Sequence, residues 1–203
     1  MSGILYINKH MIVFIFQCFW YLLPAALGNH TASCGNRLWL PAALKKILAR
    51  CAIPVDRGRQ WRGKEIFGNN KTWRGLIVGV LAGVMAAGIQ AFLFFNNDFF
   101  RNNTIVDYGA VNFVLLGALM GGGALAGDLV KSFIKRRLDK PSGSAWFPWD
   151  QLDWIAGAMI LSSMAYVPPL KVAALTVPLY VLVHLCSDRV VCWMGMKKRE
   201  EVN

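Results

Sequence analysis

Acidic residues are scarce in this chain: 11 Asp and Glu stand against 22 Lys and Arg in 203 residues, and charged side chains make up only 16%. So few charges beside 56% hydrophobic residues exclude an ordinary soluble domain and any disordered, highly charged chain. Five cysteines, Cys18, Cys34, Cys51, Cys186 and Cys192, form no Cys-x-x-Cys pair, which excludes a zinc site or redox motif of that kind and argues against a disulfide framework. There is no low-complexity segment and no convincing internal repeat. A formal net charge of +11 comes without any DNA- or RNA-binding motif, so nucleic acid is not an expected partner.

What the chain has is long apolar blocks. Five of them approach the ~20 residues that a bilayer requires: Met11–Gly28, Gly75–Phe95, Tyr108–Leu129, Leu152–Val167 and Lys171–Met194. The fourth is the shortest, limited by Pro168-Pro169. The expected fold class is therefore all-α, a polytopic membrane protein of about five transmembrane helices forming a single domain over residues 1–203. Nineteen of the 22 Lys and Arg fall in the 29–74 segment, the 130–151 connection or the tail, and only Lys9, Arg101 and Lys171 fall on the other side. This asymmetry predicts a cytoplasmic location for both basic loops, an external N-terminus and a cytoplasmic C-terminus, in the inner (cytoplasmic) membrane. Reading Met11–Leu27 as a cleaved signal peptide would reverse that logic, so a retained span is expected.

Within the first loop, Pro41–Cys51 reads as a basic amphipathic helix lying on membrane lipids, with Leu44, Ile47 and Leu48 on one side. Pro54 to Arg59 reads as a turn. Lys71, Thr72 and Arg74 open the second span, where helix N–H groups favour anions; snorkelling basic anchors explain the same residues equally well. Gly63-Lys64 lacks P-loop spacing. Glycines at spacing four (Gly75, Gly79, Gly83; Gly117, Gly121; Gly123, Gly127) predict close helix packing in lipid, and the Gly121–Gly123 run predicts a loosened third helix. His184 lies inside the fifth span near Asp188, which leaves a direct role open.

The densest chemistry lies where the third span meets its loop. Asp128, Ser132 and Lys135 share a helical face at i, i+4 and i+7, and Asp150 and Asp153 share one at i, i+3. Carboxylates are hard ligands suited to Mg²⁺, whereas Lys and Arg suit phosphate. Both at a membrane boundary point to chemistry on a phosphorylated lipid.

Three blocks then resemble the CDP-archaeol synthase family, membrane enzymes that activate a lipid phosphate with CTP. They are Pro54-x-Asp56-x-Gly58 with Phe67-Gly68-Asn69-Asn70-Lys71-Thr72-Trp73-Arg74-Gly75, then Gly127-Asp128-x-x-x-Ser132-Phe133-x-Lys135-Arg136-Arg137, then Asp150-Gln151-x-Asp153. The same core is similar to that of phosphatidate cytidylyltransferases, but Gly143 to Pro148 stands where those carry His-Gly-Gly. A slightly shortened Leu138–Gly143 connection departs from typical archaeol-type members and leaves the acceptor lipid open. The resemblance implies that CTP and a lipid phosphate are the substrates. It implies Mg²⁺ on Asp128, Asp150 and Asp153, with Ser132 a further ligand or a donor to phosphate. It also implies Lys135, Arg136 and Lys140 on the phosphates, Gln151 on substrate, and Lys71, Thr72 and Arg74 closing from the first loop. A homodimer is left open. A small transporter would place charge near the bilayer midplane rather than at one face, and a CDP-alcohol phosphotransferase would need an Asp-Gly-x-x-Ala-Arg signature that is absent.

Overall fold

A computed structural model describes residues 9–33, 42–141, 144 and 146–193. Seven helices and one tiny hairpin make up the described chain: α1 (Lys9–Ser33), α2 (Ala42–Arg50), β1 (Gln60–Trp61), β2 (Lys64–Glu65), α3 (Trp73–Asn96), α4 (Asp98–Asn103), α5 (Phe113–Arg137), α6 (Trp149–Ser162) and α7 (Leu170–Trp193). The fold is mostly helical, as expected.

Among the described residues, three helices are long and apolar enough to cross a membrane: His10–Ser33, Trp73–Asn96 and Phe113–Arg137. At 1.5 Å per residue, α3 and α5 each reach about 36 Å, more than the ~30 Å hydrocarbon core. The fourth expected span is shorter than its apolar block suggests: α6 has 14 residues, stops at Ser162 and gives way to turns before Pro168. The apolar stretch of α7 among the described residues, Leu170–Val183, is likewise short, and Pro178 interrupts its hydrogen-bond ladder.

α1 is built into the bundle, burying Cys18, Tyr21, Leu22 and Ala25. The core closes around Leu116 and Met120 of α5 and Ile155 of α6. Gln90, buried beside it, is paired at both ends of its amide. Gln90 Nε2 donates to the Trp20 carbonyl at 2.5 Å, and its Oε1 accepts from Tyr108 Oη at 2.7 Å. The outer face of α3 carries Ile77, Leu81, Met85, Ile89 and Phe92, all at least 40% exposed. An apolar stripe running the helix's length is what a lipid-facing surface requires.

Glycines set the helix spacing. A Cβ on Gly83 would lie 2.6 Å from the Gly117 carbonyl oxygen, so α3 and α5 touch backbone to backbone. α5 and α6 meet the same way, with Gly123 and Gly127 against Gly157 and the Asp153 carbonyl. The small-residue stripes therefore work as packing surfaces. α5 runs unbroken through Gly121–Gly123, so that run serves approach and not the loosening expected of it.

Two features were not expected. β1 and β2 pair antiparallel across Arg62-Gly63, whose φ values of 53° and 73° are those of a tight mirror-image hairpin turn. α4 follows α3 at the end of the bundle opposite the basic residues, with Asn97 Oδ1 accepting from Phe99 N–H at 2.9 Å. In α2, Leu48 is buried and Ile47 is 60% exposed, so the two do not share one environment. The side chains of Leu44 and His184, together with Cys34 and the tail after Trp193, lie outside the described residues.

Candidate active site

α5 continues two turns beyond the expected end of its span, and those turns carry the basic residues. Gly127 admits the backbone of α6 directly beside them, because any side chain there would overlap the Asp153 carbonyl. Asp128 from α5 is thereby brought next to Asp150 and Asp153 from α6. Asp150 opens α6, where the positive end of the helix dipole favours a carboxylate. Its Oδ2 accepts the Trp146 N–H at 2.6 Å.

The centre of this cluster is Lys131, which the sequence marked only as a topological charge. Its Nζ lies 3.1 Å from Asp128 Oδ1, 3.1 Å from Asp150 Oδ1 and 2.8 Å from Asp153 Oδ2. Lys71 reaches in from the first loop and pairs with Asp128 Oδ2. Three carboxylates thus face three ammonium groups, because Lys135 joins Asp150 as well.

Lys135 is more committed than its sequence role suggests. Its Nζ donates to Asp150 Oδ1 at 2.9 Å and Oδ2 at 3.2 Å, and to the Ser144 carbonyl at 2.5 Å. The residue is only 6% exposed. With its donors spent, it positions Asp150 and does not point into open space. Ser132 is buried on the same face, one turn after Asp128. Arg136 Nε and Gln151 Oε1 are both buried without a hydrogen-bond partner among the described residues, so each retains capacity for a ligand. Lys140 lies over the Trp146 ring, 5.8 Å from its centroid.

The start of α3 behaves differently from the anion site expected there. Trp73 N–H donates to the Ile53 carbonyl at 3.1 Å and Arg74 N–H to the Cys51 carbonyl at 2.7 Å. Gly75 N–H donates to Thr72 Oγ1 at 3.2 Å, and Leu76 N–H to the Thr72 carbonyl at 3.1 Å. The helix-end donors of Trp73, Arg74 and Gly75 are therefore used within the protein, and Leu76 starts the regular ladder. Thr72 is an N-cap, and the loop's contribution to the site is Lys71.

Asp56 holds that loop in shape. Its Oδ1 accepts Gly58 N–H at 3.0 Å, while Oδ2 accepts Phe67 and Gly68 N–H at 2.9 and 3.2 Å. Burial alone would raise this carboxyl, but the Phe67, Gly58 and Gly68 donors outweigh it and hold it below the usual carboxylate range. A lowered folded pKa contributes stability above the unfolded value of about 3.9, lost as pH falls through the folded one. Proteolysis at Arg57 and Arg59 should accelerate below about pH 4, and Asp56→Asn should show the fast rate already at neutral pH. Equal cleavage of variant and parent at pH 7 would remove Asp56 from this role.

The hairpin docks on the end of α5 through Arg137. Its Nη1 donates to the Trp61 carbonyl and its Nη2 to the carbonyls of Lys64 and Glu65. The guanidinium also lies 5.4 Å from the Trp61 ring centroid and 5.2 Å from that of Phe133. Lys64 Nζ returns a bond to Asp139 Oδ2 at 2.6 Å.

Two cavities flank the carboxylates. A small polar one of about 40 Å³ is lined by Asn70, Lys71, Thr72 and Asp128 on the α1–α3 side. An apolar cleft of about 570 Å³ runs between α5 and α6, with Lys131 and Asp153 at one end.

The carboxylate set suits a hard cation by chemistry: three oxygen ligands already surround one positive centre, the Lys131 ammonium. Both Asp153 oxygens are buried with no well-aligned hydrogen-bond donor among the described residues, although Oδ2 is ion-paired with Lys131. While Lys131 occupies the middle, no three His, Cys, Asp or Glu among the described residues are placed to coordinate one ion. Mg²⁺ commonly takes one or two carboxylates and completes its shell with substrate phosphate and water, which this set allows.

The family model for the CarS-like CDP-archaeol synthases matches residues 11–200 of this chain. The chain belongs to the CDP-archaeol synthase family. Curated synthases of that name are similar over most of its length. One from Thermococcus onnurineus is 37% identical over 155 residues, covering 75% of this chain and 74% of its own. One from Methanosphaerula palustris is 41% identical over 141 residues, covering 69% and 72%. One from Methanocaldococcus jannaschii is 32% identical over 185 residues, covering 90% and 95%. A solved intramembrane enzyme of archaeal membrane-lipid biosynthesis superposes with a TM-score of 0.62 at 27% identity, covering 86% of this chain and 94% of its own. The chain is accordingly an enzyme, a CTP-dependent lipid cytidylyltransferase embedded in a membrane, and the expected family is borne out.

Proposed function

We propose that this synthase-family chain transfers the cytidylyl group of CTP to an archaeol-type lipid phosphate, 2,3-di-O-geranylgeranylglycerol phosphate. The observation that carries the reading is the convergence of three carboxylates and three ammonium groups, those of Lys71, Lys131 and Lys135, at one end of an apolar bundle. An oxygen of the lipid phosphomonoester bonds to the α-phosphorus of CTP as the bond to the β-phosphate oxygen breaks, and pyrophosphate leaves. No base is required, because a phosphomonoester with a second pKa of about 6 is already largely dianionic near neutrality. What the site must supply is charge neutralisation and alignment of two anions.

Asp128, Asp150 and Asp153 would hold Mg²⁺, with Ser132 near enough in sequence to assist. When bound, the ion would neutralise developing charge on the phosphates. Lys71 stands beside the polar cavity and takes the triphosphate, joined by Arg136 through its unpaired Nε. Arg74 and Lys140 would add to the positive field that draws the two anions in. Gln151 Oε1, buried and unpaired, is a polar acceptor for substrate. Purified protein given CTP, Mg²⁺ and a panel of lipid phosphates tests the acceptor. The isoprenoid ether phosphate should turn over fastest, and faster turnover of a diacyl phosphatidate would reassign the acceptor class.

The active site faces the cytoplasm in this proposal, where CTP is available. Five crossings with an external N-terminus follow, with the turn residues after α6 completing the fourth. In intact cells, cysteines introduced at Arg59 and Lys140 should resist a membrane-impermeant thiol reagent, and one at Asn102 should react. Labelling of the Arg59 position from outside would contradict this orientation.

A further inference from the structure

The described part of the first loop carries charge of one sign. Between Ala42 and Thr72 the only carboxylates are Asp56 and Glu65. Asp56 is buried and spent on the Gly58, Phe67 and Gly68 N–H groups, and Glu65 is half-buried. Lys45, Lys46, Arg50, Arg57, Arg59 and Arg62 are all exposed, and none is in an ion pair among the described residues. Like charges held on one loop repel each other, and an anionic surface relieves that repulsion.

Two of these arginines stand where the backbone favours other residues. Arg57-Gly58 and Arg62-Gly63 are both turns with two residues in the left-handed region: φ is 52° and 73° in the first, 53° and 73° in the second. The first closes with Arg59 N–H donating to the Asp56 carbonyl at 2.9 Å. Asn, Asp and Gly are the residues that suit the leading position of such turns. A long cation at both tips is not explained by the turn, so the charge is what these positions use. The loop also lies at the depth of headgroups. Trp61 stacks on Phe133, with centroids 5.4 Å and planes 19° apart, and Phe133 stands one turn beyond Leu129, the expected end of the third span. Trp73, exposed as well, opens α3. Tryptophan at span ends marks the interface. Exposed Ile47 and Ile53 alternate with the cations along the sequence, a mixture suited to the boundary between headgroups and chains.

We propose that this loop is a docking surface for anionic phospholipid headgroups of the adjoining leaflet, separate from the carboxylate cluster. Docking itself needs only that the chain sits in a bilayer; its effect on turnover rests on the cytidylyl-transfer reading above. That effect runs through Lys71. Val55 N–H donates to the Lys71 carbonyl at 2.8 Å and Pro54 bridges to Thr72. The loop that the headgroups hold therefore closes on the residue paired with Asp128. An anionic surface favours each nearby Lys or Arg by roughly fivefold in partition, so a few of the six are enough to keep the loop down.

The test uses the full chain in nanodiscs of phosphatidylcholine alone, or with phosphatidylglycerol as one lipid in three. Trypsin cleavage after Arg59 is timed by mass spectrometry, normalised to a soluble peptide in the same mixture, and CTP-dependent turnover is measured beside it. In the parent, phosphatidylglycerol should slow cleavage at least ~10-fold. Salt at about 1 M, where the screening length is about 3 Å, should abolish the difference. Arg57→Asn/Arg62→Asn should lose most of the slowing while matching or exceeding the parent's Tm, because Asn suits both turns. Arg57→Lys/Arg62→Lys should keep the slowing. Turnover should rise with phosphatidylglycerol in the parent and stay flat in the Asn variant, and the two should be equal on phosphatidylcholine alone. No slowing in the parent, or equal slowing in the parent and the Asn variant, overturns the docking surface. Slowing with unchanged turnover overturns its link to Lys71. If the parent transfers no cytidylyl group to any lipid phosphate, the transfer reading has failed, and cleavage still decides the docking surface.

Discussion

Replacing Asp153 with Asn should reduce CTP-dependent turnover at least ~100-fold, the scale of losing one strong electrostatic group from a preorganised site. Asp150→Asn should do the same. Each carboxylate faces Lys131 and contributes to the only three-carboxylate convergence among the described residues. Amide replaces carboxylate with little change of volume, so the bundle should still assemble; Tm should be near that of the parent for Asp153→Asn and lower for Asp150→Asn. Steady-state kinetics on purified variants give the comparison. Near-normal turnover in both would remove these residues from the chemistry. For Asp150 the loss has a second source, because Lys135 would lose its anionic partner while remaining buried beside the Ser144 carbonyl.

The other large effect is expected at Gly127. A methyl group there would meet the carbonyl carbon and oxygen of Asp153, which cannot move without shifting α6. Overpacking of this sort ordinarily costs about 1–3 kcal/mol, and backbone-to-backbone overlap belongs at the upper end. Gly127→Ala should therefore lower Tm and separate Asp153 from Asp128, reducing turnover at least as much as it reduces folded yield. Gly122→Ala is the control. Its Cβ would meet only Val80 Cγ2, at 3.8 Å, and the helix gains from replacing Gly by Ala. Thermal unfolding and turnover of the two variants should diverge sharply. If both alanines are tolerated equally, the α5–α6 contact is not what aligns the carboxylates.

The three aspartates were legible because few carboxylates occur in so apolar a chain, Asp128 standing at helical spacing with Ser132 and Lys135, and Asp150 with Asp153. The glycine stripes were legible for a similar reason, since spacing four leaves one helix face without side chains. Lys131 was hidden by its neighbours: among five basic residues between 131 and 140, one more reads as a topological charge. A signal did exist in its i, i+3 spacing from Asp128, which makes the two ion-pair along one face. What no spacing reveals is that α6 comes from the other side to surround the same ammonium.

The first loop shows the opposite difficulty. Lys71, Thr72 and Arg74 looked alike as phosphate ligands, yet the fold divides them. Only Lys71 reaches the carboxylates, while Thr72 caps α3 and the Arg74 N–H is taken by Cys51. Two-residue strands cannot display alternation, so the hairpin had no periodic signature beyond Arg62-Gly63. Helix length was misjudged at α6 because apolar composition continues through Ala165-Tyr166-Val167 after the helix has ended. Composition records where a segment is at home; hydrogen bonding decides where the helix stops.

The most direct test of the account follows the α-phosphorus. Purified protein in micelles with Mg²⁺ and the isoprenoid ether lipid phosphate is given CTP labelled at the α-phosphorus in one tube and at the γ-phosphorus in another. Cytidylyl transfer predicts that α-label enters the solvent-extractable lipid, while γ-label remains in water as pyrophosphate. Transfer of γ-label to the lipid, or α-label that stays in water while CTP is consumed, would contradict it.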